Sequence, residues 1–124
     1  LAFTSKEQNY PLPAMKKLFG EKGDFIALVA NTGCALMLPQ LSLSMGRHVP
    51  TKVLPVPLKS DVLADVRLSD HSPFWDQGYN AMMITDTSFL RNPHYHEPTD
   101  TVETLDLEFF YRVVEGLLES LSKI

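Results

Sequence analysis

Side chains that could bind a metal or transfer a proton lie in two polar segments of the chain. Asp70 and His71 form a pair in the first segment, and the second carries His94, His96 and Asp100. A catalytic zinc needs three protein ligands and one open position. These spacings match no local zinc-binding pattern, because His94 and His96 point apart on an extended segment. Taken alone, the residues favour loop side chains bonded to the backbone over a self-contained metal site.

The composition is that of an ordinary globular protein, and it excludes several classes of function. The chain has 124 residues, of which 44% are hydrophobic and 21% charged, so we expect one domain or part of a larger one. A net charge of -4 with scattered basic residues argues against a nucleic-acid partner. No apolar run is long enough for a membrane span, and no signal peptide is visible. The chain begins at Leu1 rather than Met, as expected of a processed product or an excised piece.

The single cysteine, Cys34, excludes an internal disulfide framework and a cysteine-based structural zinc site. No histidine or other activating group lies near it in the sequence, which argues against a catalytic thiol. We therefore expect Cys34 to be a small buried hydrophobic residue.

Hydrophobic patterning predicts strands and helices in alternation along the chain. The predicted strands cover residues 25–30, 51–56 and 81–85, and the predicted helices cover residues 34–45, 72–78 and the segment that follows Asp106. The continuous apolar run at 25–30 is typical of a strand buried on both faces. Pro55 and Pro57 favour a sheet edge for the second strand. This order of elements predicts an α/β fold, with a mixed sheet flanked by helices.

The ends of these elements and the connecting segments also carry signals. Gly46 is expected to cap the first long helix, although Pro39 weakens its early part. Ser72 is expected as the N-cap of the short helix, with Pro73 at the first helical position. Three segments are predicted to lack long regular structure: an arm or loop at 1–23 with at most a short helix at 14–19, an irregular loop at 58–71, and a long polar loop at 86–104, of a length that usually carries function.

Taken together, residues 69–106 resemble the C-terminal signature of the zinc aminopeptidases of metallopeptidase family twenty-eight. The first part of that signature is a Ser-Asp-His segment followed by Phe and Gly, here Ser69-Asp70-His71, Phe74 and Gly78. The second part is a hydrophobic strand, here residues 81–87. The third part is a Tyr-His pair followed by Asp-Thr and Leu-Asp, here Tyr95-His96, Asp100-Thr101 and Leu105-Asp106. One departure is Asn80, where the family often has Pro before the strand.

The resemblance implies that residues 24–124 are the C-terminal portion of a three-layer zinc-aminopeptidase-like (phosphorylase/hydrolase-like) fold. A complete member would hydrolyse N-terminal peptide bonds with two zinc ions held by five side chains. The last ligand of that set matches His96, whereas the other four ligands and the glutamate general base lie upstream in the family. The isolated chain is therefore expected to be inactive and to bind no zinc. The resemblance also favours an extracytoplasmic or secreted parent protein.

The remaining polar residues of the signature have supporting roles in this interpretation. Asp70, His71, Tyr95 and Asp100 become candidates for substrate contact or for support of the His96 ring, since metal-bound histidines usually donate their second N–H to an acceptor. Side-chain preference is not evident from the sequence. Three aromatic residues are candidates for an apolar pocket, Trp75, Phe89 and Tyr95, although core packing is the expected position of Trp75.

Two alternatives to an exopeptidase stay open at this point. A related zinc enzyme of the same fold cyclises N-terminal glutamine, and related proteins that lost the metal act as receptor or scaffold domains. Retention of His96 argues against metal loss, but it does not separate peptidase from cyclase. The second alternative is a non-catalytic interaction module that forms homo-oligomers through exposed sheet edges.

Overall fold

A computed structural model of the protein describes residues 1–57 and 63–123, so part of the loop predicted at 58–71 lies outside the described residues. The helices within these residues are α1 (Pro13–Phe19), α2 (Leu38–Gly46), α3 (His71–Asp76) and α4 (Leu107–Leu121). The strands are β1 (Ile26–Asn31), β2 (Thr51–Val56) and β3 (Met82–Thr85). Short 3-10 turns lie at 32–34, 64–67, 88–90 and 102–104. Two of these turns fall within the long loop predicted at 86–104.

The three strands form one mixed sheet in the order β2-β1-β3. The central strand β1 runs parallel to β2, with Ile26 opposite Thr51, and antiparallel to β3, with Ala27 opposite Thr85. All six residues of β1 are buried, as its continuous apolar sequence predicted. The α/β class and the mixed sheet predicted from the sequence are therefore confirmed.

In the described residues, β2 is an edge strand, and its proline fits that position. The amide of Ile26 donates to the carbonyl of Pro50 at 2.8 Å. Because backbone groups alternate in direction along a strand, Thr51, Val53 and Pro55 turn their backbone groups away from β1. The amide that Pro55 lacks would thus have pointed out of the sheet, and the ladder with β1 loses no hydrogen bond. The predicted edge position of this strand is confirmed.

Two hydrophobic cores lie on opposite faces of the sheet and give the domain three layers. The first core packs α2 and α4 against β1, and its buried members are Ile26, Leu28, Ala30, Cys34, Leu38, Leu41, Met45, Val49, Phe109 and Val113. The second core contains Phe25, Ala27, Val29, Val56, Val66 and Trp75. As expected, Cys34 is buried, and burial raises the pKa of its thiol. Trp75 occupies the core, as expected, with an indole N–H that donates to the carbonyl of Ala81 at 3.0 Å.

Helices α2 and α4 lie side by side on the first face. A Cβ on Gly116 would lie 3.4 Å from the Cα of Met45, which is van der Waals contact, so the two helices approach closely at this position. At the end of α2, Arg47 and His48 bond to Glu119 of α4 at 2.8 and 2.6 Å. These contacts fix α4 relative to the sheet that it covers.

Two predicted helix boundaries were wrong. The helix expected at 34–45 begins only at Leu38, because Pro39 lacks a backbone donor and its ring clashes with a preceding helical turn, so it is tolerated only in the first turn. Gly46 is the last helical residue rather than the cap, and Arg47 follows it in the right-handed helical conformation. The chain before Leu38 forms the 3-10 turn Thr32–Cys34 instead.

The short helix α3 also begins earlier than predicted. Asp70, not Ser72, is the residue that precedes the first helical turn. The hydroxyl of Ser72 donates to the carbonyl of Ser69 at 3.0 Å rather than accepting from a backbone amide. Pro73 remains within the first turn, where its missing amide has no helical partner to lose. The predicted cap of α4 is confirmed, since the carboxylate of Asp106 accepts from the amide of Phe109 at 2.9 Å.

A buried arginine, Arg91, holds the N-terminal arm that precedes α1 against the rest of the domain. Its guanidinium donates to the side chain of Gln8 at 2.7 Å and to the carbonyls of Phe3 and Phe25 at 3.2 and 2.9 Å. It also lies 4.6 Å from the centre of the Phe25 ring. Burial lowers the pKa of Arg91 to about 10, so the side chain stays charged at neutral pH. A Cβ on Gly23 would lie 2.7 Å from the Nε atom of Arg91, so a glycine is needed there.

Replacing Arg91 by Met should lower the free energy of unfolding by about 2–4 kcal/mol, because buried carbonyls lose a charged donor. Arg112→Met is the matched control, since Arg112 forms an exposed ion pair with Glu108 one turn away on α4. Such pairs contribute less than about 1 kcal/mol. Urea denaturation measures both variants. Equal losses in the two would show that Arg91 does not anchor the arm.

Candidate functional site

The loop between β3 and α4 carries the predicted metal ligand, and Asn92 organises it. The Asn92 side chain accepts from the amide of His94 at 2.8 Å and donates to the carboxylate of Asp100 at 3.4 Å. The Asn92 side chain therefore connects the two ends of the segment 93–99 through these two hydrogen bonds. Asp100 is exposed and its contact is with Asn92, so in this structure it stiffens the loop and does not bond to His96.

His96 has a conformation that leaves its ring available. Its backbone φ is 61°, in the left-handed region that non-glycine residues rarely adopt. The ring is exposed and stacks on Tyr95, with ring centroids 4.0 Å apart and an interplanar angle of 17°. Within the described part of the chain, neither nitrogen of His96 is hydrogen-bonded. In contrast, the Nδ1 atom of His94 lies 2.9 Å from the hydroxyl of Thr99, so that ring is engaged inside the loop.

A cavity of about 310 Å³ opens beside His96 on the second face of the sheet. Its walls are mainly apolar and come from α1, the sheet, the 64–67 turn and the 86–104 loop. They include Phe25, Met83, Phe89, Tyr95 and the ring of His96. Of the three aromatic residues proposed for an apolar pocket, Phe89 and Tyr95 line this cavity. Trp75 does not, because it lies in the core.

The Asp70–His71 pair lies at the start of α3, and its two members differ in exposure. Asp70 is exposed, whereas the His71 ring is buried against Trp75, with ring centroids 4.4 Å apart. The Nε2 atom of His71 donates to the carbonyl of Val66 at 2.6 Å, and its Nδ1 atom is buried without a hydrogen-bond partner. Burial lowers the pKa of His71, although the contact with Val66 opposes this effect. A role of either residue in substrate contact stays a prediction.

The described residues do not bring a complete metal site together. No group of three or more His, Cys, Asp or Glu side chains within residues 1–57 and 63–123 is placed to hold a metal ion. His96 fits a single ligand position, because its ring is accessible and unpaired. Since a catalytic zinc needs three protein ligands, the assignment of His96 as one of them stays a prediction.

Sequence reasoning missed the residues that support this loop. Arg91, Gln8 and Asn92 are all buried and were assigned no role. Asn92 precedes Pro93, and an Asn-Pro pair is typical of turn initiation, so this residue carried a usable signal. Arg91 carried none, because an arginine in a polar loop is ordinarily solvent-exposed.

The free energy of unfolding should fall as the pH decreases from about 7 to about 5, because unfolded histidines take up protons near pH 6.5 while buried His71 stays neutral to lower pH. His71→Gln removes the titrating ring but keeps a donor for Val66, so its decrease should be smaller. Urea midpoints at the two pH values measure the effect. A full decrease in His71→Gln would mean that another group causes it.

None of the helices in the described part of the chain combines the length and apolar character that a membrane span requires. No solved structure matches the chain. A protein of Escherichia coli (strain K12), described as "Uncharacterized protein YfbL", is 34% identical over 111 residues, which cover 90% of this chain and 34% of that relative. The chain thus spans about a third of the length of the relative it matches.

Family similarity covers most of the chain and includes the loop described above. Residues 28–121 match the sequence profile of "Peptidase family M28". The matched segment contains nearly all of the sheet, the whole of α2, α3 and α4, and the His96 loop, whereas the part of the cavity wall that comes from α1 and Phe25 lies before it. The resemblance seen in the signature residues is confirmed. The chain belongs to peptidase family M28.

Proposed function

We propose that this chain forms the C-terminal part of a zinc-dependent exopeptidase, an aminopeptidase that hydrolyses N-terminal peptide bonds. Membership of peptidase family M28 supports the reaction class. The observation that carries the proposal is the state of His96, an exposed and unpaired imidazole held in a left-handed backbone conformation beside an apolar cavity. An unfavourable backbone conformation persists where the surroundings hold a residue in place, which suits a functional position.

His96 acts as one zinc ligand in this proposal. Bound zinc would lower the pKa of a coordinated water and polarise the carbonyl to be cleaved. The chain's own contribution is to position the imidazole: the Tyr95 ring stacks beside it, and Asn92 holds the turn on which both lie. Asp100 contributes through Asn92 by stiffening the loop. The remaining ligands and the general base come from residues outside this chain.

The cavity beside His96 suits an apolar side chain of the substrate. Phe89 and Tyr95 lie on its wall in tilted contact, with ring centroids 6.2 Å apart. A cavity of about 310 Å³ lies at the lower end of the size range of ligand pockets. A substrate with a bulky apolar side chain could fill this space while its backbone stays near the imidazole.

The isolated chain should show no stoichiometric zinc binding at micromolar concentration, because one histidine cannot hold a catalytic metal. Calorimetric titration of zinc into the 124-residue chain measures this directly. His96→Ala should leave the titration unchanged. Tight binding that His96→Ala abolishes would show a self-contained site and contradict the proposed division of ligands.

The longest reading frame that contains this chain should encode a zinc-containing enzyme that cleaves aminoacyl anilides. In that protein, His96→Ala should lower kcat/KM by more than about 100-fold, since even residues that merely support a ligand change activity 10- to 100-fold. His94→Ala is the matched control and should cause a much smaller loss, because the His94 ring bonds within its own loop. Metal content and anilide hydrolysis are the measurements.

Three results of that experiment would contradict the proposal. Full activity in the His96→Ala protein would remove His96 from the site. Absence of upstream His, Asp and Glu ligands in the reading frame would exclude the dinuclear enzyme. Cyclisation of N-terminal glutamine without anilide hydrolysis would assign the protein to the alternative zinc chemistry of this fold.

A further inference from the structure

Helix α4 presents a second apolar surface in addition to the one it buries. Its buried side contacts the sheet through Phe109 and Val113, and its Gly116 and Glu119 face α2. The opposite flank carries apolar side chains three or four residues apart, here called the α4 stripe: Leu107, Phe110, Val114, Leu118 and Leu121. Each is more than a third exposed, from 37% at Val114 to 65% at Leu118. Helical spacing places them on one continuous face without a charged member.

The α4 stripe points past the β3 side of the sheet. Helix α2 packs over β1 and β2, and α4 lies beside it. Because α2 occupies the β1 and β2 part of this face, α4 beside it lies toward β3, whose Met82 and Ile84 pack against the core that the two helices share. The flank of α4 that faces away from α2 therefore lies above the outer edge of β3.

The outer edge of β3 is open for pairing. Val29 lies opposite Met83 and Ala27 opposite Thr85, and these residues of β1 turn their backbone groups toward β3. The amides and carbonyls of Met82 and Ile84 consequently point outward, and no other part of the described chain bonds to them. Residues 82–85 contain no proline and no charge.

The two sheet edges are thus built differently. Natural edges are protected by proline, charge or coverage against unwanted pairing. The β2 edge has such a residue in Pro55, whose missing amide faces outward. The β3 edge lacks such a residue and lies next to an uncovered apolar helix face. Both features are typical of a strand and a helix in the interior of a larger domain.

We propose that the β3 edge and the α4 stripe form one docking surface for the rest of a family M28 peptidase domain. A strand of that part pairs with the backbone of Met82 and Ile84, and an amphipathic helix covers the α4 stripe. The occupant is identified by the relative from E. coli, of which about two thirds lies outside the matched segment. The inference holds whether the two parts share one polypeptide or associate as separate chains, and it rests on family membership rather than on aminopeptidase activity.

The test is co-expression of this chain with the portion of YfbL that lies outside the match, followed by light scattering of the purified material. We expect a one-to-one complex. Leu118→Glu places a charge on the α4 stripe and should weaken the complex at least tenfold. Leu43→Glu, on α2, is the matched control, because Leu43 is 66% exposed and Leu118 is 65% exposed. It should leave affinity unchanged.

A second variant tests the strand edge separately. Ile84→Pro removes an amide that points away from β1, so the ladder with β1 stays intact while pairing with a new strand is blocked. It should abolish the complex, and far-ultraviolet circular dichroism checks that the variant is folded.

Three outcomes would overturn the proposal. In the first, the matched segment of YfbL binds the remaining portion of YfbL, but this chain does not bind that portion. Another is a homodimer of this chain that Leu118→Glu dissociates and that the YfbL portion does not displace, which would make a second copy the occupant. The third is a complex that Leu43→Glu weakens and Leu118→Glu does not. This result would place the interface at α2 and the β2 edge.

Discussion

The arrangement of the N-terminal arm and of the loop that leads to His96 depends on the buried guanidinium of Arg91. It bonds to the N-terminal arm through Phe3 and Gln8, to the residue before β1 through Phe25, and it lies itself at the start of the loop that leads to His96. A charged group is costly to bury unless its donors find acceptors; the Nε and Nη1 atoms of Arg91 do so, whereas Nη2 is buried without a hydrogen-bond partner. Segments far apart in sequence must therefore come together around it, and Gly23 leaves the space that the side chain needs.

The position of His96 follows from this anchor in short steps. Arg91 fixes the beginning of the loop, Asn92 joins the loop across its turn, and Tyr95 stacks on the imidazole. The contacts of Asn92 and Tyr95 are local, and they hold the turn that carries His96. A ligand that is positioned beforehand needs less ordering when the remaining parts of a site arrive. The arrangement of this loop therefore suits the ligand role proposed for His96.

The sequence predicted the periodic elements well because their signals are local. The apolar run of β1, the edge proline of β2 and the capped, amphipathic α4 all have the predicted positions. The start of α2 was missed because Pro39 is tolerated only in the first turn of a helix, so α2 cannot begin as early as residue 34. The residues before α2 form a 3-10 turn instead. The Arg91 contacts join residues more than 60 positions apart, and no local pattern encodes such pairs. His96 was singled out by resemblance to a family motif, whereas its free ring and left-handed backbone became visible only in three dimensions.

The outward-facing nitrogen of Pro55 has a consequence for how the protein behaves at high concentration. A sheet with two receptive edges can add chains at both ends and grow into a fibre. Here the first edge offers no donor at Pro55, so growth from that side is impeded, whatever occupies the other side. Assembly through the remaining edge ends as soon as one partner has bound. We therefore expect assembly through the β3 edge to stop at pairs of defined size instead of continuing into open-ended aggregates.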